Sequence, residues 1–243
     1  MGYDSEIKGG RMEKEQDMMK MPGTSPEAPG EIKLEENVSV ECGLAIFGLG
    51  NLARMTWALP TADTFSFLQP VFETIYTRVT RRNGMIDNFS TDKVAVFFPR
   101  IYTEQVNLIV DSAIDASSEV LHWFYGDFQR TGPLSQLPAP VDLSVGIDAG
   151  IVSIAHLRSA YHNEVILLGK QVNLAHRCLD SARSGELLIS QEALARAQYK
   201  MLYKDYVKPG PNLGEIYHFD HDFYPTVTFH WQNYASRASW IEK

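Results

Sequence analysis

Two apolar periodicities alternate along this chain, and their order restricts the fold more than any other feature. "VSVECGLAIF", starting at Val38, is a β-rich run. Its second half (Leu44, Ala45, Ile46, Phe47) is nearly continuous, as in a strand covered on both faces. "GLGN", from Gly48 through Leu49 and Gly50 to Asn51, reads as a turn. From Thr64, a candidate N-cap, apolar residues recur at Phe65, Leu68, Phe72, Ile75 and Val79, and "RRNG" closes the amphipathic helix that these gaps of three and four mark. Pro70 inside it predicts a kink or a later start. Two β-prone runs, residues 85–89 and 94–98, flank the polar "STDK", a hairpin with Asp92 at its tip. A second helix is predicted from Thr103, with Val106, Ile109, Val110, Ala113, Ile114, Leu121 and Phe124 on its apolar face.

Beyond it, "GDFQRTGPLSQLPAP" reads as a surface loop and "VDLSVGID" as a half-buried strand ending in "AG". "EVILLG" is a further strand that leads into a helix carrying Asn173 and Arg177. "GELLIS" and "QEALARAQ" add a last core strand and a short helix. The order β-α-β-β-α-β, then β-α-β, predicts an α+β fold: a ferredoxin-like split βαβ sandwich with helices on one face of a mostly antiparallel sheet. Residues 1–36, rich in Glu, Lys, Met, Gly and Pro without apolar periodicity, are expected to be disordered or loosely attached. The folded domain is expected over residues 37–200. The aromatic-rich residues 201–243 are expected to add strands, pack on the sheet or cover a partner.

Composition excludes several function classes. A net charge of −8 disfavours nucleic acid and anionic membrane surfaces as partners. Two cysteines, Cys42 and Cys178, suit a reducing compartment better than a disulfide scaffold. The longest apolar stretch, residues 106–125, is interrupted by Asp111, Asp115 and Glu119, so no membrane span is expected. The N-terminus lacks the order of a signal peptide, and "MGYDSE" has Glu6 where a myristoylation site wants Ser or Thr. A cytoplasmic location is the expectation.

In the predicted architecture the turn after the first strand lies beside the hairpin tip. A carboxylate on each would clamp two divalent cations against a triphosphate. Asp92 is one half of that arrangement; Gly48 stands where the other half belongs. Here the chain resembles the catalytic domain of class III adenylate and guanylate cyclases, over residues 40–195. The resemblance is carried by "GMIDNFSTDKVAVFF", "VGIDAG" and "LLGKQVNLAHRCLDSARSGELLIS", and by the spacings from Gly48 to Asp92 and from Gly150 to Gly169.

The resemblance implies a head-to-tail dimer, with itself or with another cyclase domain, and a nucleoside triphosphate bound across the interface. One protomer supplies two aspartates for Mg2+ or Mn2+. The other supplies an Asn that orients the ribose and an Arg that neutralises the transferring phosphate, while a 3′-hydroxyl attacks the α-phosphate and pyrophosphate leaves. Asn173 and Arg177 match those two positions and share a helix face by their i, i+4 spacing. An Arg suits the task because its planar fork stays charged and bonds phosphate oxygens bidentately.

The departures matter as much. Gly48 replaces the first metal aspartate; Asn88 stands where a purine-selecting Lys is common, and Ile166 where Asp or Thr reads the base. No acid near in sequence substitutes: Glu41 is far upstream on the strand, and Asp87 is on the hairpin but off its tip. "GLGN" retains glycine-turn N–H groups suited to holding a phosphate without metal. Taken alone, Asp92 is also ordinary turn chemistry, and Asn173 and Arg177 an ordinary exposed face. "HFDHDF", with His218, Asp220 and His221, lacks a third ligand at metal spacing. Cys178 reads as a small buried hydrophobe. The expectation is a weak or silent, nucleotide-binding or regulatory protein that completes a partner's site. The rival expectations are an active cyclase with altered metal and base use, and an interaction scaffold with no ligand.

Overall fold

A computed structural model describes residues 33–100, 107–131, 141–158, 163–217 and 223–238. Of the segment expected over residues 1–36, residues 1–32 lie outside the described residues, as do the helix start at Thr103 and Val106 and the "HFDHD" of residues 218–222, while residues 33–36 belong to a strand. Among the described residues eight strands form one sheet. They are β1 (Lys33–Gly50), β2 (Met85–Phe89), β3 (Lys93–Pro99), β4 (Asp142–Arg158), β5 (Asn163–Leu168), β6 (Leu187–Ser190), β7 (Val207–Asn212) and β8 (Pro225–Phe229). Their order is β2-β3-β1-β4-β6-β8-β7, with β5 paired to β4 off this path. The β4–β6 pair is parallel and the rest are antiparallel, so the sheet is mostly antiparallel.

Helices α1 (Leu52–Ala58), α2 (Thr61–Thr80) and α3 (Ile109–Trp123) precede β4, and α3 continues into a π-helical turn, Phe124–Phe128, and a short turn, Gln129–Thr131. Helix α4 (Lys170–Ser181) follows β5, and α5 (Gln191–Arg196) follows β6. The chain closes with α6 (Lys200–Tyr203), α7 (Leu213–Tyr217) and α8 (Trp231–Ala235).

Alternation along β1 builds two cores. Ala45, Phe47 and Leu49 face α2 and α3, whose Phe67, Val71, Ile75, Val110, Ile114 and Leu121 are buried against them. Leu44 and Ile46 face the other way, where Ala175 and Leu179 of α4 pack. That approach depends on Gly146: a Cβ there would collide with Ala175 O and Leu179 N, so only glycine lets α4 lie this close to β4. Burial of these apolar side chains supplies the main stabilisation.

Several details differ from the sequence expectations. Strand β1 runs through Gly48, Leu49 and Gly50, so the turn is confined to Asn51, which takes the left-handed conformation (φ 62°) and starts α1, a helix the periodicity did not announce. Helix α2 begins at Thr61 and continues across Pro70. Its buried stripe is Thr64, Phe67, Leu68, Val71, Ile75 and Val79, while Phe65 points to solvent. Leu68, Ile75 and Val79 of the expected stripe are buried and Phe72 is half-buried against the core, so packing on the sheet turns the stripe only slightly, taking in Phe67 and Val71 in place of Phe65. Strand β4 continues past "AG" to Arg158, and "GDFQRT" is helical rather than loop.

The C-terminal residues add strands to the sheet: β8 pairs with β6, and β7 lies at the outer edge, where the missing N–H groups of Pro209 and Pro211 are tolerated. A buried carboxylate latches this part to α3. Asp111 accepts from Gln198 N, Tyr199 N and the Tyr203 hydroxyl at 2.8, 2.9 and 3.0 Å.

Candidate functional site

The hairpin tip and the end of β1 meet as expected. Ser90 closes the β2–β3 turn: its N–H donates to Lys93 O at 2.8 Å, and its hydroxyl accepts from Lys93 N at 3.1 Å. That places Asp92 at the tip. Gly48 pairs with Lys93 across the ladder, and Leu49 N donates to Asp92 O at 2.7 Å. Gly48, Leu49, Gly50, Asn51 and Asp92 thereby line one shallow pocket of about 320 Å³, with Lys93, Asp142, Ser144 and Leu179 completing its walls. The structure thus gathers five of the sequence candidates at one place.

Two corrections follow. The N–H of Leu49 is committed to Asp92 O, so this donor of the glycine run is not free to hold a phosphate. An acid from outside the local sequence also reaches the pocket: Asp142, opposite Gly50 in the β1–β4 ladder, accepts from Asn51 Nδ2 at 3.3 Å. Local spacing carries no signal for it, because strand pairing alone brings it in.

The donor set decides whether two cations fit. Beside Gly48 the space is apolar: a Cβ built there would lie 2.8 Å from Leu179 Cδ2 and 2.9 Å from Leu179 Cδ1. The position from which the resemblance would project a carboxylate therefore faces two methyl groups. Lys93 brings a positive charge to the same wall, its Nζ 3.1 Å from Asp180 Oδ1. Among the described residues no group of three or more His, Cys, Asp or Glu is arranged to hold a metal ion. Divalent Mg2+ or Mn2+ wants a cage of oxygens, and these residues do not fit a two-cation clamp.

Helix α4 presents Asn173 and Arg177 outward on one face, one turn apart. The Arg177 side chain is 47% exposed; its Nη1 lies 3.7 Å from Asp180 Oδ2, and its Cζ sits 4.5 Å from the centre of the Tyr217 ring. Asp180 thus joins Arg177 to Lys93, the residue after Asp92. Between Asn173 and Arg177, Leu174 and Ala175 anchor the helix on the sheet, which is why the two polar groups face solvent. Asn88 is exposed on β2 opposite Ala95, and Ile166 is half-buried on β5 opposite Ala155. Neither lines the pocket at Gly48.

Below α4 lies an acid that sequence reasoning passed over. Asp148 on β4 is fully buried; it accepts from the Ser190 hydroxyl, and from the Tyr224 hydroxyl at 3.0 and 3.1 Å to its two oxygens. Burial raises its pKa from 3.8 to about 6 against the opposing pull of those donors. Cys42 and Cys178 are both buried and free. Burial first, then the charges of Asp87, Glu41 and Asp148, pushes the Cys42 thiol up to about 12; burial raises Cys178 well above its ordinary range.

The sheet order, the hairpin tip beside β1 and the outward face of α4 together define the fold of a nucleotidyl cyclase catalytic domain, and solved structures bear this out. The adenylyl cyclase CyaB from P. aeruginosa superimposes with a TM-score of 0.64 at 18% identity, over 82% of this chain and 95% of that one. A guanylate cyclase domain from Catenaria anguillulae in complex with GTP gives 0.60 at 15% identity, over 79% and 98%. A non-canonical dimeric guanylyl cyclase domain of the RhoGC fusion protein from the aquatic fungus Blastocladiella emersonii gives 0.61 at 14% identity, over 79% and 98%. The sequence matches no family model and no curated protein. Among the described residues no helix is long and apolar enough to cross a membrane.

Proposed function

We propose that this chain is a cyclase-like subunit that lends Asn173 and Arg177 to a nucleoside triphosphate bound by a partner, while its own metal position stays silent. The observation that carries this reading is the contrast between the two half-sites. Asn173 and Arg177 stand ready on an exposed helix face, whereas the space beside Gly48 is occupied by Leu179. The partner is a second chain of the same fold that retains both aspartates. Arg177 would take up charge that develops on the transferring phosphate, a contact worth about 10²–10³ in rate where a single such donor is removed. Asn173 would hold the ribose so that its 3′-hydroxyl faces the α-phosphate.

The test is complementation. A class III cyclase chain that keeps its two aspartates but has its own Asn and Arg replaced by Ala is mixed with this protein, ATP or GTP, and Mn2+. Cyclic nucleotide, read by mass spectrometry, is expected only in the mixture and is expected to vanish with Arg177→Ala. Turnover by this protein alone, lost in Asp92→Asn, would overturn the reading.

A further inference from the structure

Arg177 does not stand alone on its helix. The Tyr217 ring, at the end of α7 in the C-terminal extension, lies against its guanidinium at 4.5 Å, and Asp180 meets Nη1 at 3.7 Å. The ring is itself well seated. Its hydroxyl is 3.2 Å from Ser181 Oγ, and its body packs on the cluster formed by Cys178, Leu188 and Leu213. Helix α7 is fixed at its start, where Leu213 is fully buried and Asn212 Oδ1 accepts from Gly214 N at 3.2 Å and Tyr224 N at 2.6 Å.

We infer that Tyr217 is a positioning residue for Arg177, so that the C-terminal extension sets the pose of the arginine offered to the partner's triphosphate. This rests on the reading under Proposed function. The physical reason is entropic and electrostatic. A half-exposed arginine samples many rotamers, and each must be given up when a phosphate is bound. An aromatic face attracts the guanidinium without consuming its N–H donors, whereas a carboxylate partner alone would compete with phosphate for them. Stacking therefore orders Arg177 yet leaves its fork available.

The experiment compares Tyr217→Phe, which keeps the ring and loses the hydroxyl, with Tyr217→Leu, which loses the ring. Two readouts are taken on the full chain. The first is the Arg177 Nε–H signal in a ¹H–¹⁵N spectrum, assigned by its loss in Arg177→Ala. An upfield ring-current shift is expected in the wild type and in Tyr217→Phe, and its disappearance in Tyr217→Leu. The second is the complemented assay with ATP or GTP and Mn2+. Tyr217→Leu is expected to lower kcat about two- to five-fold with KM little changed, and Tyr217→Phe to retain activity. If Arg177→Ala abolishes product while Tyr217→Leu leaves kcat intact, this inference falls and the proposed function survives. If the mixture makes no product at all, the proposed function falls, and an unshifted signal in the wild type would remove the positioning role as well.

Discussion

The methyl groups of Leu179 fill the space that a side chain at Gly48 would enter, with Cδ2 and Cδ1 within 2.9 Å of a Cβ built there. The absent carboxylate is therefore matched by an apolar neighbour from another element, and restoring the acid is a packing problem as well as a chemical one. Gly48→Asp alone is expected to lower stability by about 1–3 kcal/mol through overpacking, with no Mn2+-dependent rise in Tm. Gly48→Asp combined with Leu179→Ala is expected to recover part of that loss and to show a Mn2+-dependent rise. Thermal unfolding with and without Mn2+ checks both.

Asn173 and Arg177 are exposed and contribute little to the core, so their removal separates function from folding. Asn173→Ala is expected to change stability by no more than about 0.5 kcal/mol and Arg177→Ala by no more than about 1 kcal/mol, because an exposed ion pair such as Arg177–Asp180 is worth little and an exposed ring stack only slightly more. Urea denaturation of the two variants is the measurement. A large loss would assign the pair to scaffolding instead.

Asp148 gives a pH dependence with a definite sign. Its pKa in the folded chain is raised by burial to about 6, above the ordinary 3.8 that it recovers on unfolding. Over that window the native state binds more protons, so this group's contribution favours folding most below 3.8 and is lost as pH rises to about 6. Asp148→Asn holds the neutral form at every pH and still accepts from Ser190 and Tyr224. Relative to wild type it is expected to gain stability as pH rises from about 4 to about 7, by on the order of 3 kcal/mol. Urea unfolding at several pH values reads the difference, and parallel curves for the two proteins would contradict it.

The cysteines are expected to be silent in the folded chain. With Cys42 and Cys178 buried and their thiols held protonated, a neutral thiol reagent at about pH 8 should find no reactive group until denaturant is added. Two thiols per chain should then titrate. Rapid labelling of the native protein would show that α4 opens readily.

Periodicity within single segments determined a good deal by itself. The strand through Leu44 to Phe47, the hairpin with Asp92 at its tip and the helix face bearing Asn173 and Arg177 were all legible, because each depends on residues a few positions apart. The choice between the Phe65 and Phe67 stripes of α2 was not legible, since only the sheet beneath decides which side of a helix is dry. Nor were Asp142 beside Gly50, Leu179 over Gly48, or Tyr217 against Arg177. Those three contacts join residues far apart in the chain. No local pattern encodes them: cross-strand register brings in Asp142, the close seating of α4 at Gly146 brings in Leu179, and the packing of α7 on α4 brings in Tyr217.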